Sequence, residues 1–491
     1  MGENFYSILG VSNNATAEQI RQAYFDLARK YHPDSNLSSR NKDLFIVIQH
    51  AYEVLSNPKT RREYDATLKL EEASRPPIQL SWVFSRKDVP RIAESQIVYG
   101  KLDIQYTGNQ DDFKFPPSHL CIVLDKSTSM KGERLDAVRK NLHQLIAELR
   151  DVDLISIVTF NDKAEILIAP TSTSDKVALS KKIETIHASG GTEMYRGLKA
   201  GIDILWQGHG SAYLPNLLLL TDGHTYGDED RCIELAHKAV EKNIRISALG
   251  FGSDWNDNFL DAVTSVTGGC TYFVKSLMDL PKLLLITLTS LKTTIAHNMN
   301  LEMQNSANAS VMFCFKLEPE IVKLPTESPI QLGSLIKEKK STYMFAFELP
   351  PLKKDQSILS LLDGRVRYLL GDNRSSSFVE NIKLEKMVND NPEKVDIPLE
   401  IVQALSKITL YQMQEKSHTD VQSGKVVDAV RRLTFMATQL IGQGNVSFAK
   451  EVLNEAENIK NKQTYSEDGN KRLKYGTRAL LQLPAPEKRT R

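Results

Sequence analysis

The chain has 491 residues, a quarter of them charged, and a formal net charge of +1. That length exceeds one hydrophobic core and implies three or four domains. The balanced charge provides no basic field for nucleic acid or an anionic membrane. The four cysteines, Cys121, Cys232, Cys270 and Cys314, are far apart and form no C-x-x-C pair. This argues against a zinc ribbon or a disulfide scaffold and fits a reducing compartment. No apolar run approaches the roughly 20 residues of a membrane helix. The start, MGENFYSILG, lacks the basic and apolar regions of a secretory signal. Tyr6 stands where myristoylation at Gly2 requires Ser or Thr. The expected location is cytoplasmic.

Thr16-Ala17-Glu18-Gln19 reads as a capping box that opens a helix. Ile20, Ala23, Tyr24, Leu27 and Tyr31 then recur at helical spacing. Pro33 disfavours helical geometry at His32, so the helix ends there. Phe45, Ile48, Tyr52 and Leu55 line one face of a second helix. The pattern predicts a helical hairpin with His32, Pro33 and Asp34 at its tip.

Four ordered motifs, FYSILGV (5–11), AYFDLARKYHPD (23–34), AYEVLS (51–56) and RREYD (61–65), make residues 1–70 resemble a J domain. The resemblance implies docking on a DnaK-type heat-shock chaperone and stimulation of its ATP hydrolysis through His32, Pro33 and Asp34. Arg21, Arg29 and Lys30 supply positive charge for an acidic partner. Phe25-Asp26 stands where many J domains carry a basic pair, and Ser35 replaces a common Lys or Arg, which weakens that face. The Gly-Phe-rich and cysteine-rich modules of general-purpose J proteins are absent, so another domain is expected to choose the client.

EEASRPP (71–77) is a linker. Leu102, Ile104 and Tyr106 alternate with polar residues. So do Val311, Phe313, Phe315 and Leu317, and Tyr343, Phe345, Phe347 and Leu349. These are half-buried antiparallel strands. They predict one β-sandwich, residues 78–115 and 292–385, interrupted by an inserted domain; the alternative is two small β units.

Over residues 116–291 short apolar strands alternate with amphipathic helices, the pattern of a doubly wound, Rossmann-like α/β domain. Such folds place sites at the carboxyl ends of their strands. Asp125 ends the strand LCIVLD and begins Asp125-x-Ser127-x-Ser129. Thr192 follows Gly190-Gly191, and Asp222 ends LLLLTD. Two carboxylates and three hydroxyls are hard oxygen ligands that suit Mg²⁺, with Mn²⁺ or Ca²⁺ as alternatives, rather than zinc.

These residues resemble the metal-ion-dependent adhesion site of von Willebrand factor A domains. The resemblance implies direct metal contacts from Ser127 and Ser129, aspartates that often act through water, and Thr192 engaged according to conformation. It further implies an open position that accepts an acidic side chain of a bound protein. Considered singly, the aspartates could instead cap helices, and the hydroxyls could be ordinary loop polarity.

Toward the end, Leu399, Val402, Leu405, Ile408 and Met413 suit one apolar helix face after Pro398. Val426, Val430, Leu433 and Ile441 suggest a second helix, and Phe448, Val452 and Ala456 a third. Residues 386–482 read as a helical bundle and 483–491 as a disordered basic tail. No P-loop, zincin helix or nucleophile-His-acid set marks an enzyme. The leading expectation is a co-chaperone that holds a client or partner protein through a metal. The alternative is a metal-dependent scaffold with a weak J domain.

Overall fold

A computed structural model describes residues 5–12, 15–31, 39–65, 77–108, 115–207, 213–223, 225, 227–304, 308–352, 356–371, 377–392 and 396–480. The chain forms two compact units, residues 1–77 and 78–491.

The first unit contains α1 (Phe5–Leu9), α2 (Ala17–Tyr31), α3 (Ser39–Ser56) and α4 (residues 58–65). Thr16 and Gln19 exchange the two hydrogen bonds of a capping box, 2.8 and 3.2 Å. Tyr6, Leu9, Ile20, Ile48, Ala51 and Leu55 are buried together. The Tyr24 and Tyr52 rings stack at 4.0 Å and bind α2 to α3. The motifs at residues 5–11 and 61–65 meet in space: Phe5 stacks on Tyr64, and the Tyr6 hydroxyl donates to Asp65 while it accepts from Arg61 Nε.

The second unit starts with β1 (Ile78–Phe84), β2 (Val89–Pro90) and β3 (Gln96–Tyr106). The α/β segment follows: β4 (Ser118–Asp125), α5 (Glu133–Glu148), β5 (Leu154–Phe160), β6 (Ala164–Ser172), α6 (Lys176–Glu184), α7 (Met194–Gln207), β7 (Leu214–Thr221), α8 (Glu229–Glu241), β8 (Arg245–Phe251), α9 (Asp257–Val266), β9 (Thr271–Val274) and α10 (Leu280–Lys292). Its sheet order is β6-β5-β4-β7-β8-β9, parallel except for the antiparallel edge strand β6. Both faces of the sheet are apolar, so both are covered: α5, α6 and α10 pack on one, α7, α8 and α9 on the other. Successive strands run outward in opposite directions from the β4–β7 pair, and that reversal opens a crevice at the carboxyl edge.

The chain then returns through β10 (Thr294–Met303), β11 (Ser310–Glu318), β12 (Val322–Leu324), β13 (Ile330–Ile336), β14 (Ser341–Leu349), β15 (Ile358–Leu370) and β16 (Ser377–Asn389). Two five-stranded sheets, β1-β3-β14-β11-β12 and β13-β10-β15-β16-β2, enclose one core. β3 lies between β1 and β14, so a strand that precedes the α/β segment is locked into a sheet completed after it. This is a β-sandwich interrupted by an α/β domain. The seam is tight at Gly268 and Gly333, both at positive φ; a Cβ on Gly268 would lie 2.6 Å from the Gly333 Cα. All four cysteines are buried and unpaired.

Four helices close the unit: α11 (Leu399–Gln422), α12 (Val426–Gly442), α13 (Val446–Lys462) and α14 (Gly469–Leu480). Sequence periodicity suggests three, and it misplaces the apolar face of the first. Ile401, Ala404, Ile408 and Tyr411 of α11 pack on Phe315, Leu317 and Met344, on the outer face of the first sandwich sheet. Leu399 and Val402 are 70% and 47% exposed. The alternating Phe313, Phe315 and Leu317 thus mark that helix-covered face, while Cys314 points into the sandwich. In α12 the buried residues are Ala429, Leu433, Met436, Ala437 and Leu440, and Ile441 is exposed. Among the described residues no helix is long and apolar enough to cross a membrane.

α14 docks on α9 through charge. Lys474 Nζ lies 2.5 Å from Asp257 and 2.8 Å from Asp261, and Arg478 donates two hydrogen bonds to Asp261, at 3.0 and 2.6 Å. Burial would raise the Asp261 carboxyl, but the Arg478 and Lys474 charges outweigh it and hold the group well below the usual carboxylate range. A depressed carboxylate stabilises the fold above its unfolded pKa, near 3.9, and that contribution is lost as pH falls below it. Asp261→Asn should therefore cost about 3 kcal/mol at pH 7 by leaving two buried cations short of a counter-charge. The difference from wild type in thermal melts should shrink as the pH drops below about 4.

Candidate functional site

β4 and β7 are adjacent parallel strands, so their ends lie side by side. Asp125 is the last residue of β4, and Asp222 follows the last residue of β7. Both side chains are fully buried. Asp125 Oδ1 accepts from the Ser127 backbone N–H at 2.8 Å, and Oδ2 from the Thr221 hydroxyl at 2.7 Å. Ser127 Oγ is 2.9 Å from Ser129 Oγ, which donates to Asp222 Oδ1 at 2.7 Å. Neither aspartate caps a helix. One oxygen of each faces the Asp-x-Ser-x-Ser turn instead.

Thr192 joins this group from the loop before α7. A Cβ added to Gly223 would lie 3.1 Å from Thr192 Oγ1 and 3.7 Å from Asp125 Oδ2, so three separate segments approach one point. The structure thus brings together all five residues of the sequence pattern. The other predicted set divides. Arg21, Arg29 and Lys30 are exposed on α2, with Arg21 5.6 Å from the Phe25 ring centroid. His32, Pro33 and Asp34 lie outside the described residues.

Charge at the site is unbalanced. Asp125 has no basic partner among the described residues, and burial, reinforced by the nearby Asp222 charge, raises its carboxyl to about 6 against the pull of its hydrogen bonds. Arg134, in the first turn of α5, pairs through Nη1 with Asp222 Oδ2. Two carboxylates against one guanidinium leave room for added positive charge. A buried carboxylate that meets only hydroxyl and amide donors is poorly compensated. The donor set is therefore oxygen-only and net negative, and it fits a hard divalent cation. Among the described residues no group of three or more His, Cys, Asp or Glu side chains is arranged to hold a metal.

Sequence reasoning missed the residues that hold these donors in place. Thr221 sits directly before Asp222, and its hydroxyl orients Asp125. Asp162 accepts from the Gly191 backbone N–H at 3.0 Å, and Asn161 Nδ2 donates to Ser189 O at 2.8 Å; these bonds fix the loop that carries Thr192. Gly190, at φ +77°, would place a Cβ 2.4 Å from Asp162 Oδ2, so only glycine fits. Asp228, at the start of α8, caps α7 instead: its Oδ2 accepts from Tyr195 N–H at 2.9 Å, and its other oxygen accepts from Thr225. Strand-end position was the available signal for Thr221, whereas the Asp228–Tyr195 bond joins residues 33 apart in sequence.

Known proteins share these parts. Residues 4–65 match the DnaJ domain family, 119–284 the von Willebrand factor type A domain, and 399–483 the Sll0103-like C-terminal alpha-helical domain. The chain therefore carries a DnaJ domain and a von Willebrand factor type A domain in one polypeptide, closed by a helical region. It is 28% identical over 262 residues to the uncharacterized protein sll0103 of Synechocystis, which covers 51% of this chain and 61% of that one. Over 65 residues it is 52% identical to the chaperone protein DnaJ of Thermosynechococcus vestitus, 13% of this chain and 17% of that one. The chain thus spans less than two thirds of the length of these relatives. A von Willebrand factor type A structure from Catenulispora acidiphila superposes with a TM-score of 0.65 at 13% identity, over 83% of this chain and 98% of that one, which shows the shared fold.

Replacing Asp228 by alanine removes the cap of α7 and the acceptor for Thr225. We expect a loss of about 1–2 kcal/mol in urea unfolding, with the slope of the transition unchanged.

Proposed function

We propose that this protein is a J-domain co-chaperone whose von Willebrand factor A domain holds a client or partner protein through a divalent metal. The observation that carries the second half is the convergence of two buried carboxylates and three hydroxyls at one sheet edge, with Asp125 meeting no counter-charge among the described residues. The first half rests on the DnaJ domain. Asp125, Ser127, Ser129, Thr192 and Asp222 would hold the metal, Mg²⁺ best and Mn²⁺ or Ca²⁺ as alternatives. Once bound, the ion would supply a fixed positive charge for an acidic side chain of the partner. The chain's own residues orient the donors: Thr221 turns Asp125, and Ser129 is held on Asp222.

His32, Pro33 and Asp34 would act on the DnaK-type chaperone, with Arg21, Arg29 and Lys30 steering its approach. This division of labour is that of an interaction protein rather than an enzyme, and the expected setting is the cytoplasm. One observation favours the scaffold alternative: Phe25 is 48% exposed on α2, where many J domains carry a base, and it lies one turn from Arg21 and from Arg29.

Two measurements test the reading. In single-turnover assays the wild type should accelerate ATP hydrolysis by a cognate DnaK-type chaperone, and His32→Gln should remove the acceleration; no acceleration by the wild type leaves the scaffold. By calorimetry Asp125→Ala should abolish Mg²⁺ binding, and partners retained by the wild type should be released by EDTA. An unchanged set of retained partners would sink the metal-dependent half.

A further inference from the structure

A groove of about 500 Å³ opens beside the candidate metal site, and Ser129 belongs to both. Phe251 and Val274, buried in the core, back it, and Leu277 adds a partly buried apolar side chain. Its rim carries Lys131, Arg134 and Lys275 against one acidic residue, Glu133. Lys131 is exposed and makes no ion pair with any described residue. Lys275 is half exposed and reaches Glu451 of α13 only at 3.5 Å. Arg134 is oriented by its Nη1 contact with Asp222, and its Nη2 hydrogen bonds to no acceptor among the described residues. A guanidinium held by one nitrogen keeps a second donor ready for a carboxylate.

The groove wall is built rather than loose. Gly252, at φ +68°, lies against Arg134; a Cβ there would fall 2.9 Å from Nη2. The next residue, Ser253, accepts from Lys471 of α14 through its carbonyl, and Lys471 also sits 4.7 Å from the Trp255 ring centroid. Trp255 packs on Phe273 and Tyr475. α14 thus fixes from behind the loop that shapes the groove.

We propose that this groove is a second subsite for the same partner, one that binds further carboxylates of an acidic peptide segment whose leading Asp or Glu reaches the metal. This rests on the metal-dependent reading above and adds the partner's chemistry: an acidic stretch, not a lone exposed carboxylate. Three cations against one carboxylate, in a mainly polar groove, complement such a segment, and contiguity with Ser129 puts its next residues over the groove.

The test uses the full chain, Mg²⁺ and two short labelled Gly-Ser peptides, one with a single aspartate and one with an acidic run, followed by fluorescence anisotropy. The acidic-run peptide should bind about 10-fold more tightly, and rising salt should narrow the difference. Lys131→Glu combined with Lys275→Glu should erase the preference without reducing Mg²⁺ affinity in calorimetry. Equal binding of the two peptides, failure of both to bind, or a preference that survives the double substitution overturns the subsite. Binding that ignores EDTA yet still depends on Lys131 and Lys275 overturns the metal reading alone and leaves the acidic subsite standing.

Discussion

Among the described residues two buried carboxylates share the carboxyl edge of the central sheet with a single guanidinium, and the rest of the second unit is arranged to tolerate that. Asp125 and Asp222 sit at the ends of adjacent strands, and the Asp125 carboxyl is raised chiefly by its burial, with the neighbouring Asp222 charge adding to it. The Ser127 backbone amide and the Ser129 and Thr221 hydroxyls aim donors at them. Such an arrangement persists only on a rigid support, because each donor must arrive at hydrogen-bond distance without a charge of its own. The parallel sheet, covered on both faces, supplies that support, and the sandwich locks both ends of the inserted segment.

The helical region is part of the same support. α11 covers a sheet face that would otherwise expose Phe315 and Leu317, and α14 binds α9 through Lys474, Arg478, Asp257 and Asp261. Buried ion pairs of this kind contribute little net stability against an apolar replacement, but removing one partner is costly. Their geometry also fixes where α14 lies, and from there Lys471 reaches the Ser253 carbonyl beside the candidate site.

Much of this was legible in the sequence wherever the signal is local. The capping box at Thr16, the strand ends at Asp125 and Asp222, and the Asp-x-Ser-x-Ser turn all lie within short windows, and the structure brings those residues into hydrogen-bonded contact. Legibility failed where an element meets two surfaces. α11 packs on a sheet with one side and on α12 with another, so its apolar residues do not form one stripe, and Leu399 and Val402 proved exposed. α14 gave little apolar signal because its docking face interleaves Leu473 and Tyr475 with Lys471, Lys474 and Arg478. Such residues read as a solvated surface until their partners, the Ser253 carbonyl and the Asp257 and Asp261 carboxylates more than 200 positions earlier, are in view. The Asp228 cap was hidden for the same reason, since its helix is not its own.

Arg134 ties these themes together. One of its nitrogens answers the excess negative charge at Asp222, and its other terminal nitrogen faces the groove against Gly252. A lysine in its place would deliver the same charge to Asp222 as a single point and could not span both positions, because only the planar fork offers two fixed donors. The side chain that balances the site's own carboxylates is therefore also the one that links it to the groove. The loop that limits its movement is held by α14, so the C-terminal helices bear on the site through geometry although they contribute no donor to it.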